Sequence, residues 1–156
     1  MSTPVDRVRQ ALAARGLTVE ITEFDQSTAT SQQAADTLGV SVATIVKSLV
    51  FLAGEQPILV LASGANRVDT EKLSRITGSK VRRADADRVK AATGFVIGGV
   101  PPVGHAGPLA TYIDRDLMAY DLLWAAAGSP YAVFPVTPQD LVRITGGMVV
   151  DLAQRA

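Results

Sequence analysis

The chain has 156 residues, 47% of them apolar, which is enough to build a core and speaks against intrinsic disorder. Fifteen basic side chains balance fifteen acidic ones, a poor match to a protein that wraps a nucleic-acid duplex. Cysteine is absent, which excludes disulfides, thiolate metal sites and cysteine nucleophiles.

Aromatic residues make up only 5%, so the core must rest on Val, Leu, Ile and Ala. No apolar run is long enough to span a bilayer. Met1 to Arg15 reads as a charged amphipathic segment and not as a signal peptide. The expectation is one cytoplasmic domain over residues 1–156.

In chain order, Val5, Val8 and Leu12 have helical spacing, and Gly16 stops that helix. Leu17, Val19 and Ile21 alternate with polar residues and predict a half-buried strand. After a polar loop, Ser31 is the expected cap of a short helix ending at Gly39. Ile45 to Leu52 predicts a strand that turns at Gly54-Glu55-Gln56-Pro57 and returns as Ile58 to Ala62. Asp69 or Thr70 caps a helix closed by Gly78, and Asp85 opens another toward Ala92. Phe95 to Ile97, Leu109 to Ile113, Leu122 to Ala126 and Tyr131 to Val136 read as strands. Asp114-Arg115-Asp116 reads as a strand-end turn with a local ion pair. Thr137-Pro138-Gln139-Asp140 starts a helix, and Met148 to Leu152 closes the chain as a strand. Strands outnumber helices and several are joined by short turns. The expected fold class is therefore α+β, with a mixed, largely antiparallel sheet flanked by helices.

Two stretches carry chemistry. In Ala43 to Leu52 a single lysine, Lys47, interrupts an apolar run. A buried ammonium is costly unless something negative meets it, so Lys47 either reaches the surface or faces an anion site. In Thr93 to His105 an apolar segment enters a loop made almost wholly of Gly and Pro and ends at the sole histidine. Glycines leave backbone N–H groups open to a ligand, and prolines stiffen the loop around them. A third feature is basic. Arg67, Lys72, Arg75, Lys80, Arg82, Arg83, Arg88 and Lys90 fall close together, against Asp69, Glu71, Asp85 and Asp87. That region is either a solvated face or a contact surface for RNA phosphates.

Other sites are weaker. Ser31 to Val46 has the layout of a helix-turn-helix, which makes a DNA-binding regulator the alternative reading. Its second helix would offer Lys47 and no Arg, Asn or Gln to read bases. Ser129 lies in no nucleophile elbow, one histidine with scattered carboxylates makes no metal site, and no phosphate-binding loop motif occurs. Neither a metal nor a cofactor is expected.

The ordered set Ala34-Ala35-Asp36-Thr37-Leu38-Gly39-Val40, Val46-Lys47-Ser48-Leu49, Gly98-Gly99-Val100-Pro101-Pro102-Val103-Gly104 and Ala127-Gly128-Ser129-Pro130 resembles the YbaK/prolyl-tRNA synthetase-associated domain family. Val68 to Leu73 and Asp140 to Ile144 extend the likeness. The resemblance implies a curved mixed sheet around a cleft. It also implies hydrolysis of a mischarged aminoacyl-tRNA, most often tRNA for proline bearing a small wrong amino acid such as Ala or Cys. The implied partners are the acceptor end of an aminoacyl-tRNA and a synthetase, with neither membrane nor DNA. A catalytically inactive tRNA- or synthetase-binding module of the same fold is a further alternative. The implied catalytic groups are Lys47, Gly98 and Gly99. Phe24, Thr30, Ser48, Pro102, Gly104, Gly128 and Ser129 are the implied substrate-binding positions. Arg82 and Arg83, from the basic region, are expected on the tRNA. Pro101 departs from the family pattern, and His105, at a variable position, is expected to be a satisfied surface histidine without a catalytic part.

Overall fold

The computed structural model describes residues 2–155, so Met1 and Ala156, the ends of the expected domain, lie outside the described residues. All eight strands among them belong to one mixed sheet, in the order β1 (Thr22–Glu23), β7 (Ala132–Val136), β6 (Leu123–Ala126), β2 (Ile45–Ala53), β3 (Gln56–Ser63), β5 (Ala110–Asp114), β8 (Met148–Val150), with β4 (Val81–Arg83) added to β2. Helix α1 (Pro4–Ala14) starts at Thr3, whose side chain and that of Asp6 bond reciprocally to each other's backbone N–H. It buries Val5, Val8 and Leu12, as their spacing requires.

The expected strand at Leu17 to Ile21 does not form. These residues lay their side chains on the core as irregular chain, and only Thr22–Glu23 (β1) pairs, with Val133 and Ala132. Alternation here records burial of one face, not a ladder. Helix α2 (Ser31–Leu38) is capped by Thr30, not Ser31, in a capping box with Gln33, and ends at Gly39 in the left-handed region. The helix-turn-helix reading fails at the next element. The would-be recognition helix is a single 3-10 turn, Val42–Thr44, that runs into strand β2 (Ile45–Ala53).

Strand β3 (Gln56–Ser63) pairs with β2 along its whole length through a two-residue turn, Gly54-Glu55. Helix α3 (Thr70–Thr77) is capped by Asp69. A short strand unforeseen in the sequence, β4 (Val81–Arg83), follows, because two successive arginines hide its period. Helix α4 (Ala86–Thr93) starts at Asp85.

The predicted strand at Phe95 to Ile97 is a turn instead. The Thr93 hydroxyl accepts the Phe95 N–H at 3.0 Å and holds the ring inward at 1% exposure, while Val96 and Ile97 stand out at 49% and 60%. Strands β5 (Ala110–Asp114), β6 (Leu123–Ala126), β7 (Ala132–Val136) and β8 (Met148–Val150) and helix α5 (Pro138–Thr145) agree with the expected elements. The expected local pair at Asp114-Arg115-Asp116 is replaced by longer-range contacts. Asp114 is fully buried and accepts from the Ser63 N–H and the Asn66 amide, while Asp116 pairs with Arg155 at 2.7 Å.

Four of the seven strand pairings are antiparallel. The other three, β2–β6, β3–β5 and β5–β8, are parallel. Helices α1, α4 and α5 pack on the face carrying Val46, Val50, Leu59 and Leu61. Helix α3 covers the face carrying Phe51, Ile58, Val60 and Ala62. Helix α2 leans on Ile45 and Trp124 at one end of the sheet. No helix among the described residues is long and apolar enough to cross a membrane.

Candidate active site at the split in the sheet

Strand β2 has two different neighbours on the edge away from β3. Its first residues, Ile45 and Val46, pair in parallel with Trp124 and Ala125 of β6. Its last, Phe51 to Ala53, pair with Arg83 to Val81 of β4. Between them Lys47 to Val50 have no strand beside them on that edge. The sheet splits there, and a cavity of about 120 Å³ opens at the split. Its walls come from the start of α2, from β2 and β6 and from the loop after α4, with Trp124 and Ala126 opposite Lys47 and Ser48. That volume suits a small organic group, since an engineered apolar cavity of about 150 Å³ holds benzene.

Lys47 lies at this opening, partly buried, and among the described residues its ammonium has neither an ion-pair nor a hydrogen-bond partner. Burial pulls its pKa below the usual lysine range, and Arg83 and Arg67 pull it further down; only Asp114 opposes them. Arg83 faces Phe51 across the β2–β4 ladder, its guanidinium 5.9 Å from the ring centroid. Phe51 shares a face of β2 with Lys47 by strand alternation. Lys47 thus stands at the opening with Arg83 and Arg67 close enough to act on its charge, and among the described residues none of the three has a carboxylate partner, which favours an anionic ligand.

Gly98 lines the cavity at φ 91°, the third residue of a turn in which the Gly99 N–H donates to the Val96 carbonyl at 3.0 Å. A β-carbon on Gly98 would stand 2.9 Å from that of Ala29. The Gly99 N–H is occupied by the turn, so Gly98 is the glycine of the pair with a backbone donor left over. Gly99 instead packs on the backbone of Ser129, and Gly128 packs on the Pro4 carbonyl at the start of α1. Ser129 accepts the Tyr131 N–H at 3.1 Å and does not line the cavity.

The other expected positions divide. Thr30 and Ser48 line the cavity with Lys47 and Gly98. Pro102 and Gly104 line a separate surface groove with His105, Arg15 and Leu109. His105 is partly buried in the wall of that groove, and its Nε2 lies 2.7 Å from the Pro101 carbonyl, so that nitrogen is satisfied. Phe24 continues the β1–β7 pairing through its N–H to the Tyr131 carbonyl and stays outside the cavity. Arg82 pairs with Glu55 at 2.9 Å, away from Lys47. Trp124, Ala34, Ile97 and Val100 line the cavity without having been expected as substrate-binding positions, although the lone tryptophan on a short Ala-rich strand was a usable signal. Among the described residues no three His, Asp or Glu side chains cluster as metal ligands would.

The sequence matches the model of the aminoacyl-tRNA editing domain over residues 25–144. The chain belongs to the aminoacyl-tRNA editing domain family. Within it the chain is 39% identical over 123 residues to the uncharacterised protein YwhH of Bacillus subtilis, covering 78% of each. It is 24% identical over 127 residues to EbsC of Enterococcus faecalis, a proposed Cys-tRNA(Pro)/Cys-tRNA(Cys) deacylase, covering 80% of this chain and 77% of EbsC. A crystal structure of a proposed trans-editing enzyme for prolyl tRNA synthetase superposes with a TM-score of 0.93 at 44% identity, covering 99% of both chains. The family match spans α2, the split in the sheet, the Gly98 turn and α5, so the editing domain includes every wall of the cavity.

Proposed function

We propose that this editing domain hydrolyses the ester of a mischarged aminoacyl-tRNA bearing a small amino acid. The carrying observation is the cation Lys47, without a partner among the described residues, at the mouth of a small, mostly apolar cavity, with the Gly98 turn beside it. In this reading the aminoacyl group enters the cavity and Lys47 holds the terminal phosphate or the ribose outside it. Water attacks the ester carbonyl carbon, and the oxyanion that forms is stabilised by backbone N–H donors, that of Gly98 among them. The bond from the carbonyl carbon to the ribose oxygen then breaks. The ribose oxygen takes the proton that the attacking water loses, directly or through the neighbouring hydroxyl. Free amino acid and uncharged tRNA result. Orientation and charge stabilisation supply the catalysis, and the ester is already reactive.

The volume supports a small side chain. The names of EbsC and of the similar crystal structure support tRNA for proline as the carrier and prolyl-tRNA synthetase as the enzyme whose errors are removed. The test is a panel of tRNAs, for proline and for other amino acids, each charged with Ala, Cys, Ser or Pro, incubated with the protein and with Lys47→Ala. Hydrolysis of one or more small-residue esters, lost in the variant, is expected. Binding of charged tRNA without turnover would replace the enzyme by an inactive tRNA-binding module, and no binding would overturn the reading.

A further inference from the structure

Ser48 sits at the centre of the split. Strand alternation fixes which way its peptide groups point. The Ile45 carbonyl accepts the Gly64 N–H on the β3 side, and the Val50 carbonyl accepts the Ala84 N–H on the other side. Ser48 has the parity of Val50, so its N–H and C=O point away from β3. On that edge the β6 pairing has ended at Val46 and the β4 pairing begins only at Phe51. Both peptide groups therefore face the cavity, which Ser48 lines. Interior peptide groups in folded chains are almost always paired. The hydroxyl on the same residue adds to the deficit: among the described residues, Ser48 Oγ is the one buried side-chain polar atom without a hydrogen-bond partner.

We propose that the aminoacyl group of the substrate binds as a one-residue strand against Ser48, which rests on the deacylase reading above. The Ser48 N–H donates to the substrate's carbonyl oxygen, and the Ser48 C=O accepts from its α-ammonium. This is the two-bond exchange of a closely spaced antiparallel pair. It sets the ester carbon between β2 and the Gly98 turn, and gives the oxyanion a second backbone donor. It also places the α-amino group inside the site, so an acyl group without one binds poorly.

The experiment uses the 15N-labelled protein and 3′-deoxy-3′-(L-alanylamino)adenosine, whose amide replaces the labile ester. The 3′-propionylamino compound, which lacks the amine, is the comparison. Saturation with the alanyl compound is expected to shift the Ser48 amide resonance and slow its hydrogen exchange tenfold or more. The propionyl compound is expected to bind at least tenfold more weakly. Ser48→Pro removes an N–H that the sheet does not use, so it should leave the fold in place and abolish binding of the alanyl compound. If that variant misfolds, the exchange rate in the unaltered protein decides. Shifts at Gly98 and Ala126 with an unchanged Ser48 exchange rate would overturn the strand-like pairing and leave the deacylase reading standing. Absence of any binding at the cavity would overturn both.

Discussion

Gly99 lies directly on the backbone of Ser129: a β-carbon built on Gly99 would stand 2.9 Å from the N, Cα and C of that residue. The turn beside the cavity and the turn between β6 and β7 are therefore seated on each other. The φ of Gly99 is not in the left-handed region, so the constraint is contact and not conformation.

Gly99→Ala should push the two turns apart at a cost of about 1–3 kcal/mol, the usual range for overpacking. It should also displace Gly98 and lower the single-turnover rate of deacylation tenfold or more. Gly107→Ala is the matched control, because nothing lies within 4 Å of its added methyl and its φ is not left-handed. Urea melts and rate measurements on both variants check this; equal behaviour of the two would contradict it.

Lys47→Met should give a folded protein that is more stable and inactive. The lysine pKa is held below its usual value, chiefly by burial, so at neutral pH the folded state carries a charge it disfavours. The unfolded chain keeps its proton to higher pH than the folded one, so stability of the unaltered protein rises as pH climbs toward the ordinary lysine value. The gain from Met should be largest at neutral pH and shrink through that alkaline window. The ammonium is only half-buried, so solvent screening keeps the gain small, and it is read as a rise in Tm at pH 7 that fades toward the ordinary lysine pKa. A fall in Tm with retained hydrolysis would show that Lys47 is structural.

His105 provides a second pH signature on the acid side. Burial lowers its pKa, the bond to the Pro101 carbonyl opposes the shift, and Arg15 lowers it further. Below the ordinary histidine value of 6.5 the unfolded chain takes up a proton before the folded chain does, so stability falls with pH until the folded-state pKa is passed. His105→Gln should remove that part of the slope. Denaturation midpoints at pH 7.5 and 5 measure it. Deacylation at pH 7.5 should be unchanged, because the ring borders a groove separate from the cavity.

Most helices were legible in the sequence because caps and glycines mark their ends, as at Asp69, Asp85, Gly39 and Gly78. Lys47 and Gly98 were legible because each breaks a local rule, a cation in an apolar strand and a glycine that bends a loop. Pro102 and Gly104 look like part of the same loop, yet the chain carries them past the cavity to another surface. The expected strand at Phe95 gives way to a turn in which the Thr93 hydroxyl, which donates to the Val89 carbonyl of α4, also accepts the Phe95 N–H. The split beside Ser48 was invisible because it depends on where β6 and β4, distant in sequence, begin and end along β2.

The two arginines expected on the tRNA should separate. Arg82 is exposed and paired with Glu55, whereas Arg83 has no acidic partner among the described residues and lowers the pKa of Lys47. Arg83→Ala should raise KM for charged tRNA several-fold and reduce its salt dependence by about one phosphate contact. Arg82→Ala should change KM by less than twofold, since an exposed pair with one carboxylate contributes little. Arg83→Ala has a further consequence for chemistry. Removing a like charge favours protonated Lys47, so the Lys47 pKa moves up toward its ordinary value. If the ammonium form of Lys47 holds the substrate, activity declines on the alkaline side as that proton is lost. The alkaline limb of kcat/KM should then shift to higher pH in Arg83→Ala and stay in place in Arg82→Ala. Rate profiles between pH 7 and 10 on an aminoacyl-adenosine ester, corrected for its spontaneous hydrolysis, isolate this effect from tRNA affinity. An alkaline limb that does not move, or that moves equally in both variants, would detach Arg83 from Lys47 and leave it as surface charge.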